Sequence, residues 1–309
     1  MFKRFFALLV FVFVLWIFYW AAFVPKESLS GRINRELKKQ SSKLDLFMKG
    51  VVFSEIVDGK KYWEIKAVTS QINKDTGKAL LNDIRGVFFT DGKPYINFTA
   101  PLVTWEMRQQ QIKIDSPKGS DGSYEFTMPD LTWSLSRDRF WTDGPVMLKN
   151  RHGFIKGRGL EGIPGKSGMT IKGQPTAVFS KGNKKLILGA DSFGIDGTKG
   201  NIFAAGNCNA SVDALSVISR NMEYYTIKSE VSAQGDVKLE YRDITASADE
   251  ALFSLAGNTV ILSGNARASR QGSKMSAGRL KIDMKNNRII MEERTEVFVE
   301  EEDLGTQKK

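Results

Sequence analysis

The residues able to do chemistry are few and scattered. The chain has 309 residues, with one histidine, His152, and one cysteine, Cys208. His152 lies in Arg151-His152-Gly153, and nothing beside it resembles a nucleophile elbow, so a Ser-His-Asp or Cys-His centre has no well-placed base. It reads as a solvent-exposed loop histidine. A metal site needs clustered His, Cys or carboxylates. The one acidic cluster, Glu300-Glu301-Glu302-Asp303, lies near the C-terminus and reads as a solvated tail. A lone cysteine excludes an internal disulfide and a CxxC pair. No glycine loop of the G-x-x-x-x-G-K-[ST] spacing is present to cradle a phosphate. A β-helix enzyme acting on polysaccharide is the strongest enzymatic alternative, but it needs carboxylates gathered on one face. Here Asp and Glu fall at turns and on the wet side of each strand. No catalytic residue, metal ligand or cofactor is assigned, and the chain reads as a non-enzyme.

The chemistry this pattern does suit is apolar. From Leu44 onward the period is two: Trp63, Ile65 and Ala67 alternate with Glu64 and Lys66, and Ile112 and Ile114 with Lys113 and Asp115. Val237, Leu239 and Tyr241, then Ile244, Ala246 and Ala248, then Leu280, Ile282 and Met284 follow the same rule. One face is apolar and the other polar, which predicts antiparallel strands around one interior. Turn chemistry separates them at Asp58-Gly59, Asp75-Thr76-Gly77, Asp91-Gly92, Asp121-Gly122, Gly257-Asn258 and Asn286-Asn287. Pro94, Pro101, Pro117, Pro129 and Pro145 are expected at strand starts or edges. No long helix is expected after Lys43.

The strands recur. Gly206-Asn207, Gly235-Asp236 and Gly264-Asn265 stand 29 residues apart and read as strand starts. Small residues mark a period near 30 at Ala67, Ala100, Met128-Pro129, Gly159, Ala190, Ala248 and Ala277, with a degenerate unit at Arg220. Such a chain stacks one unit on the next because no unit buries its apolar face alone. The glycine-rich stretch Gly157 to Gly168 reads as a bend or lip. Aromatic residues crowd Phe47 to Trp141, whereas Ala, Ser, Gly and Asn dominate after Lys181. The expected organisation is two in-line sheet modules, 44–180 and 181–300, with a tail at 301–309.

Phe5 to Val24 is uncharged and, at about 30 Å as a helix, matches a bilayer core. Trp16, Tyr19 and Trp20 cluster near its end, where amphipathic rings favour the interface. A cleaved signal peptide fits less well, since the apolar run is long and no A-x-A site follows. Residues 1–24 are thus expected to be an uncleaved anchor. Residues 25–43 form a juxtamembrane linker, either solvated or a short surface helix through Leu29, Ile33 and Leu37. The net charge is +10, of which +6 falls in residues 1–50, beside the anchor. Contact with anionic lipid explains that better than nucleic-acid binding, and no nucleic-acid partner is expected. A literal charge count, with six positive residues after the span and two before it, would leave the body of the chain in the cytoplasm.

Two stretches carry a family resemblance. Lys49 to Glu55, Tyr62 to Ala67, Asn82 to Val87, Phe98 to Pro101 and Gly157 to Gly162 resemble the lipopolysaccharide transport protein LptC. Gly235 to Leu239, Ala246 to Ala251 and Gly264 to Ala266 are similar to the LptA/OstA domain. The resemblance implies an all-β, rolled antiparallel β-jellyroll whose interior holds acyl chains. It also implies an inner-membrane, single-pass anchor beside LptF and LptG, with LptB hydrolysing ATP and the sheet in the periplasm. Lipopolysaccharide would pass to an LptA-like bridge or to LptD through edge-to-edge strand pairing. Alternation turns Phe53, Trp63, Ile65, Ile112, Ile114, Val237, Leu239, Tyr241, Ile244, Ala246, Leu280 and Ile282 inward. They are groove candidates under this reading and plain sheet core under its alternative, an anchored periplasmic scaffold without cargo.

Overall fold

A computed structural model describes residues 46–163, 168–196, 199–255 and 257–298. The anchor residues Phe5, Trp16, Tyr19, Trp20 and Val24, the linker 25–43 and the tail 301–309 lie outside the described residues. Among those described, no helix is long and apolar enough to cross a membrane.

The described chain forms one antiparallel sheet of 22 strands. It opens as a meander of four long strands, β1 (Leu46–Val57), β2 (Lys60–Asn73), β3 (Lys78–Thr90) and β4 (Lys93–Glu106). The ladder then splits. β5 (Gln111–Asp115) pairs one half of β4 and β6 (Lys118–Ser120) the other. β7 (Glu125–Thr127) extends the β6 side and β8 (Asp130–Ser134) the β5 side, and both rejoin on β9 (Arg139–Asn150). β10 (Gly153–Gly162) starts a second split through β11 (Met169–Ile171), β12 (Thr176–Lys181), β13 (Lys184–Gly189) and β14 (Ser192–Ile195). It closes on β15 (Ile202–Val212). A second meander follows: β16 (Leu215–Tyr225), β17 (Glu230–Tyr241), β18 (Ile244–Ser254), β19 (Thr259–Arg270) and β20 (Ser273–Asp283). β21 (Arg288–Glu292) and β22 (Glu296–Phe298) end it on the two halves of β20.

Every split and every register shift in the second meander falls at one level, a crease running across the sheet. In that meander the ladder skips at Ala205/Cys208, Ile218/Asn221, Gln234/Val237, Ser247/Glu250 and Ser263/Ala266. Gly206 and Asn207 take φ of 75° and 45°, Gly235 and Asp236 78° and 51°, and Gly264 and Asn265 73° and 48°. Two successive left-handed residues bend a strand sharply, and glycine followed by Asn or Asp is the pair that tolerates this. Neighbouring strands brace the bend. Asn207 donates to Asp191 and Asn265 to Asp249, each at 2.8 Å, and Arg220 pairs with Asp236 at 3.0 Å.

The crease corrects three expectations. The Gly-Asn and Gly-Asp pairs lie inside β15, β17 and β19, not at strand starts. Their chemistry is that of a hairpin turn, which is why they read as one. Pro101 and Pro145 lie inside β4 and β9. Each stands where the outer ladder is interrupted between two short partners, so its missing N–H leaves no gap in the pairing. Of the bend or lip expected at Gly157 to Gly168, the bend is found inside a strand: Gly157 to Gly162 belong to β10, Gly159 takes φ of 81° at the crease, side chains of Ile171 and Phe140 occupy the space a Cβ would need at Gly157 and Gly162, and 164–167 lie outside the described residues. The hairpin turns follow expectation, with Asp58-Gly59 and Asp91-Gly92 left-handed at both positions.

Candidate functional site

The crease divides the sheet into two leaves whose apolar faces meet. One leaf holds the halves of the strands on the β6, β7, β12 and β13 side, the other those on the β5, β8, β11 and β14 side. Aromatic rings span the gap at the N-terminal end. Phe53 meets Trp105 edge-on at 5.4 Å, and Trp133 of the second leaf meets Trp63 at 5.3 Å and Phe88 at 4.9 Å. Beyond β15 the inner face turns small: Ala204, Ala210, Ala233, Ala246, Ala248, Ala251, Ala266, Ala268 and Ala277 are all buried. A bulky indole reaches across two leaves by itself, whereas alanines leave that space to longer neighbours.

All twelve sequence-derived candidates face this interior. Eleven are buried, from Ile244, Leu280 and Ile282 at 0% exposure to Ala246 at 8%, and Phe53 is partly buried against the same core. Most are packed among other side chains. Leu239, Ala246, Ala268 and Met275 also underlie a groove of about 600 Å³ on the outer face of one leaf, walled by outward side chains such as Lys238, Glu240, Ser247, Arg267 and Lys274, with Phe298 at its end. The groove lies at the β22 end of the sheet. Sequence reasoning missed Ala268, which is buried on the same inner face; it follows Ala266 at strand spacing and could have been included.

Opposite the crease the leaf margins are fastened by side chains. Tyr62 donates to Asp138 at 2.6 Å near the N-terminal end. Lys184 donates to the Leu255 carbonyl at 2.8 Å and to Asn258. Tyr241 donates to the Met284 carbonyl at 2.8 Å and Arg270 to the Asn287 carbonyl at 3.0 Å. Between the first of these fastenings and the rest lies a cavity of about 1280 Å³, lined by turns from both leaves. Tyr124, Phe179 and Tyr224 sit in it, and Phe179 stacks obliquely on Tyr224 at 5.1 Å. Burial beside Asp121 pushes the Tyr124 hydroxyl up to about 12, so it stays neutral.

The remaining titratable groups are structural in their settings. Burial pushes the Cys208 thiol up to about 11, and its Sγ donates to the Arg220 carbonyl at 3.2 Å. His152 is exposed and accepts a 2.9 Å hydrogen bond from Arg151 Nε. Among the described residues no group of three His, Cys, Asp or Glu is placed to hold a metal ion. Each sheet end presents an edge. β1 pairs only with β2 among the described strands and exposes Val52, Ile56 and Val57; at the far end Ile290, Val297 and Phe298 are exposed.

Residues 7–179 match the family described as lipopolysaccharide-assembly, LptC-related. The chain belongs to this LptC-related family. Residues 166–288 match a second family, LptA/(LptD N-terminal domain) LPS transport protein, so the LptC-related chain carries an LptA-like domain at its C-terminal end. Together the two matches support a role in lipopolysaccharide transport. Comparison with curated proteins returned no match. Among solved structures the chain is similar to LptH from Pseudomonas aeruginosa, the LptA homologous periplasmic component of the conserved lipopolysaccharide transport device. Identity is 13% and the TM-score 0.36, over 37% of this chain and 94% of that one.

Proposed function

We propose that this LptC-related chain is a non-enzymatic conduit for the acyl chains of lipopolysaccharide. In this reading residues 1–24 anchor it in the inner membrane and 25–43 lead to two periplasmic modules, 44–180 and 181–300. It accepts lipopolysaccharide from the ABC transporter of LptB, LptF and LptG and passes it toward an LptA-like bridge or LptD. The observation that carries the reading is the inner face. It runs apolar from β2 to β20 through both family-matched stretches, and in its C-terminal part it is lined by alanines such as Ala246 and Ala268. Each methylene kept from water is worth about 0.8 kcal/mol, so an acyl chain gains strongly from lying between such leaves. The exposed edges of β1 and of the β21–β22 end are the kind of surface that continues a sheet into a partner.

The aromatic packing of the N-terminal end favours a second reading, an anchored scaffold whose interior is simply filled. Filling the alanine-lined part of the interior separates the two. Ala246→Phe combined with Ala268→Phe is expected to lower the lipopolysaccharide that copurifies with the protein several-fold while the β-sheet circular-dichroism spectrum is retained. Undiminished copurification in the folded double variant would contradict the conduit and favour the scaffold.

A further inference from the structure

The cavity at the leaf margins is bordered by an uneven set of charges. Lys149, Arg151, Lys181 and Lys199 line it, with Glu125 as the one carboxylate among its lining residues. None of the four cations forms an ion pair among the described residues, although Lys149 stands directly across from Glu125 in the β7–β9 ladder. Lys181 donates to Ser229 Oγ at 2.7 Å, which holds it at the margin. All four are exposed. Four cations gathered with a single carboxylate repel one another, and an anion placed among them relieves that cost.

The cavity also has an apolar side. Its floor is aromatic, with Tyr124, Phe179 and Tyr224 each at 5% exposure or less. Ile227 stands on its rim at 83% exposure, the most exposed large apolar side chain described. Cations at the rim above an aromatic floor suit a ligand with a charged head and an apolar body. The lining comes from turns of both leaves. Margin fastenings stand on either side, at Tyr62–Asp138 and at Lys184–Leu255, and at the cavity itself the leaves are joined by Lys181–Ser229 and by the Phe179–Tyr224 ring contact.

We propose that this mouth is a lateral binding site for a phosphorylated acyl lipid. Lys149, Arg151 and Lys199 hold the phosphate, and the acyl body turns inward over Phe179 and Tyr224. The site thus reads the head group of an amphiphile while the interior takes its chains. This rests on the conduit reading and adds to it a place and a chemistry for recognition. Phosphate contacts by lysine and arginine are charge-assisted and weaken with salt, because the Debye length is about 8 Å at physiological ionic strength.

The test uses three probes on the full chain in detergent: dioctanoyl phosphatidic acid, dioctanoyl phosphatidylcholine and inorganic phosphate, with binding followed by calorimetry. The wild type is expected to bind the phosphatidic acid about tenfold more tightly than the phosphatidylcholine, as two or three charge-assisted contacts allow. In a variant carrying K149A, R151A and K199A that preference should vanish while phosphatidylcholine binding stays unchanged. The three side chains are exposed, so the variant should melt like the wild type. Equal binding of the two lipids by the wild type would overturn the lateral site and leave the conduit standing. A preference that survives the triple substitution would overturn the assignment to these residues. Inorganic phosphate bound as tightly as phosphatidic acid would overturn the amphiphile. Failure of both lipids to bind would remove the conduit and the mouth together.

Discussion

At the residue scale the crease carries the most information per side chain. Gly206, Gly235 and Gly264 hold φ near 75° in mid-strand, where a side chain costs about 1–2 kcal/mol. Gly235→Ala is therefore expected to lower stability by about that amount in urea denaturation. A Cβ at this position would also press on the Arg220 side chain, which is exposed and can move aside. Ser70 makes the opposite case. Its hydroxyl is fully buried in β2 and has no hydrogen-bond partner among the described residues. Ser70→Ala removes an unsatisfied polar atom without changing shape and should stabilise by about 1 kcal/mol in the same assay. Cys208, buried with its thiol raised to about 11, should resist thiol reagents at pH 8 until the protein unfolds. Rapid labelling of the native protein would show that the C-terminal leaves open on that timescale. These settings were unevenly legible beforehand. The recurrence of Gly-Asn and Gly-Asp at constant spacing was visible in the sequence, but its place inside strands was not. A double left-handed bend has the same residue preferences in a crease as in a hairpin.

At the scale of elements, paired charges tie neighbouring strands on the outer surface. Glu106 on β4 meets Lys113 on β5 at 3.3 Å and Lys78 on β3 at 3.4 Å, and these lysines hold its carboxyl below the usual carboxylate range. Glu161 on β10 is held down in the same sense, by Lys172 first and Arg139 second. A depressed folded pKa adds stability that is fully present above the unfolded value of 4.5 and disappears as pH falls through the folded one. Thermal melts should thus be flat from neutral pH down to about 5 and decline below 4.5, and Glu106→Gln should make that decline shallower. Glu106 is itself buried, but its lysine partners are half exposed and solvent screens the pairs, so the effect on each is small. At the leaf margin, Tyr241→Phe removes one hydrogen bond to the Met284 carbonyl. A loss of about 0.5–1.5 kcal/mol is expected in urea denaturation, together with faster amide exchange in β21. Strand identity was readable from the period of two along most of the chain. The short strands were not, because β5 with β6, and β13 with β14, continue one alternation across a break that only the crease explains.

At the scale of the whole molecule, the sheet is a one-dimensional array closed on itself along its length and open at both ends among the described strands. The apolar face was legible because alternation is a local property of each strand. Which residues border free space was not, because that depends on how two distant leaves approach each other. Trp133 spans the gap from the second leaf and closes the N-terminal end, whereas the C-terminal interior presents the small side chains of Ala246 and Ala268. Open ends predict self-association as well. Val52 and Ile56 are exposed on β1, and a lysine at each should reduce concentration-dependent oligomers in analytical ultracentrifugation without altering the melt. The central claim is that acyl chains pass along the inner face. Photocrosslinking in membranes tests it most directly, from a probe at Leu239 on that face, with ATP as the variable. A lipopolysaccharide adduct whose yield rises with ATP is the predicted result. A folded, membrane-bound protein that gives no adduct from Leu239, and none from Ile65 or Ile282, would contradict it.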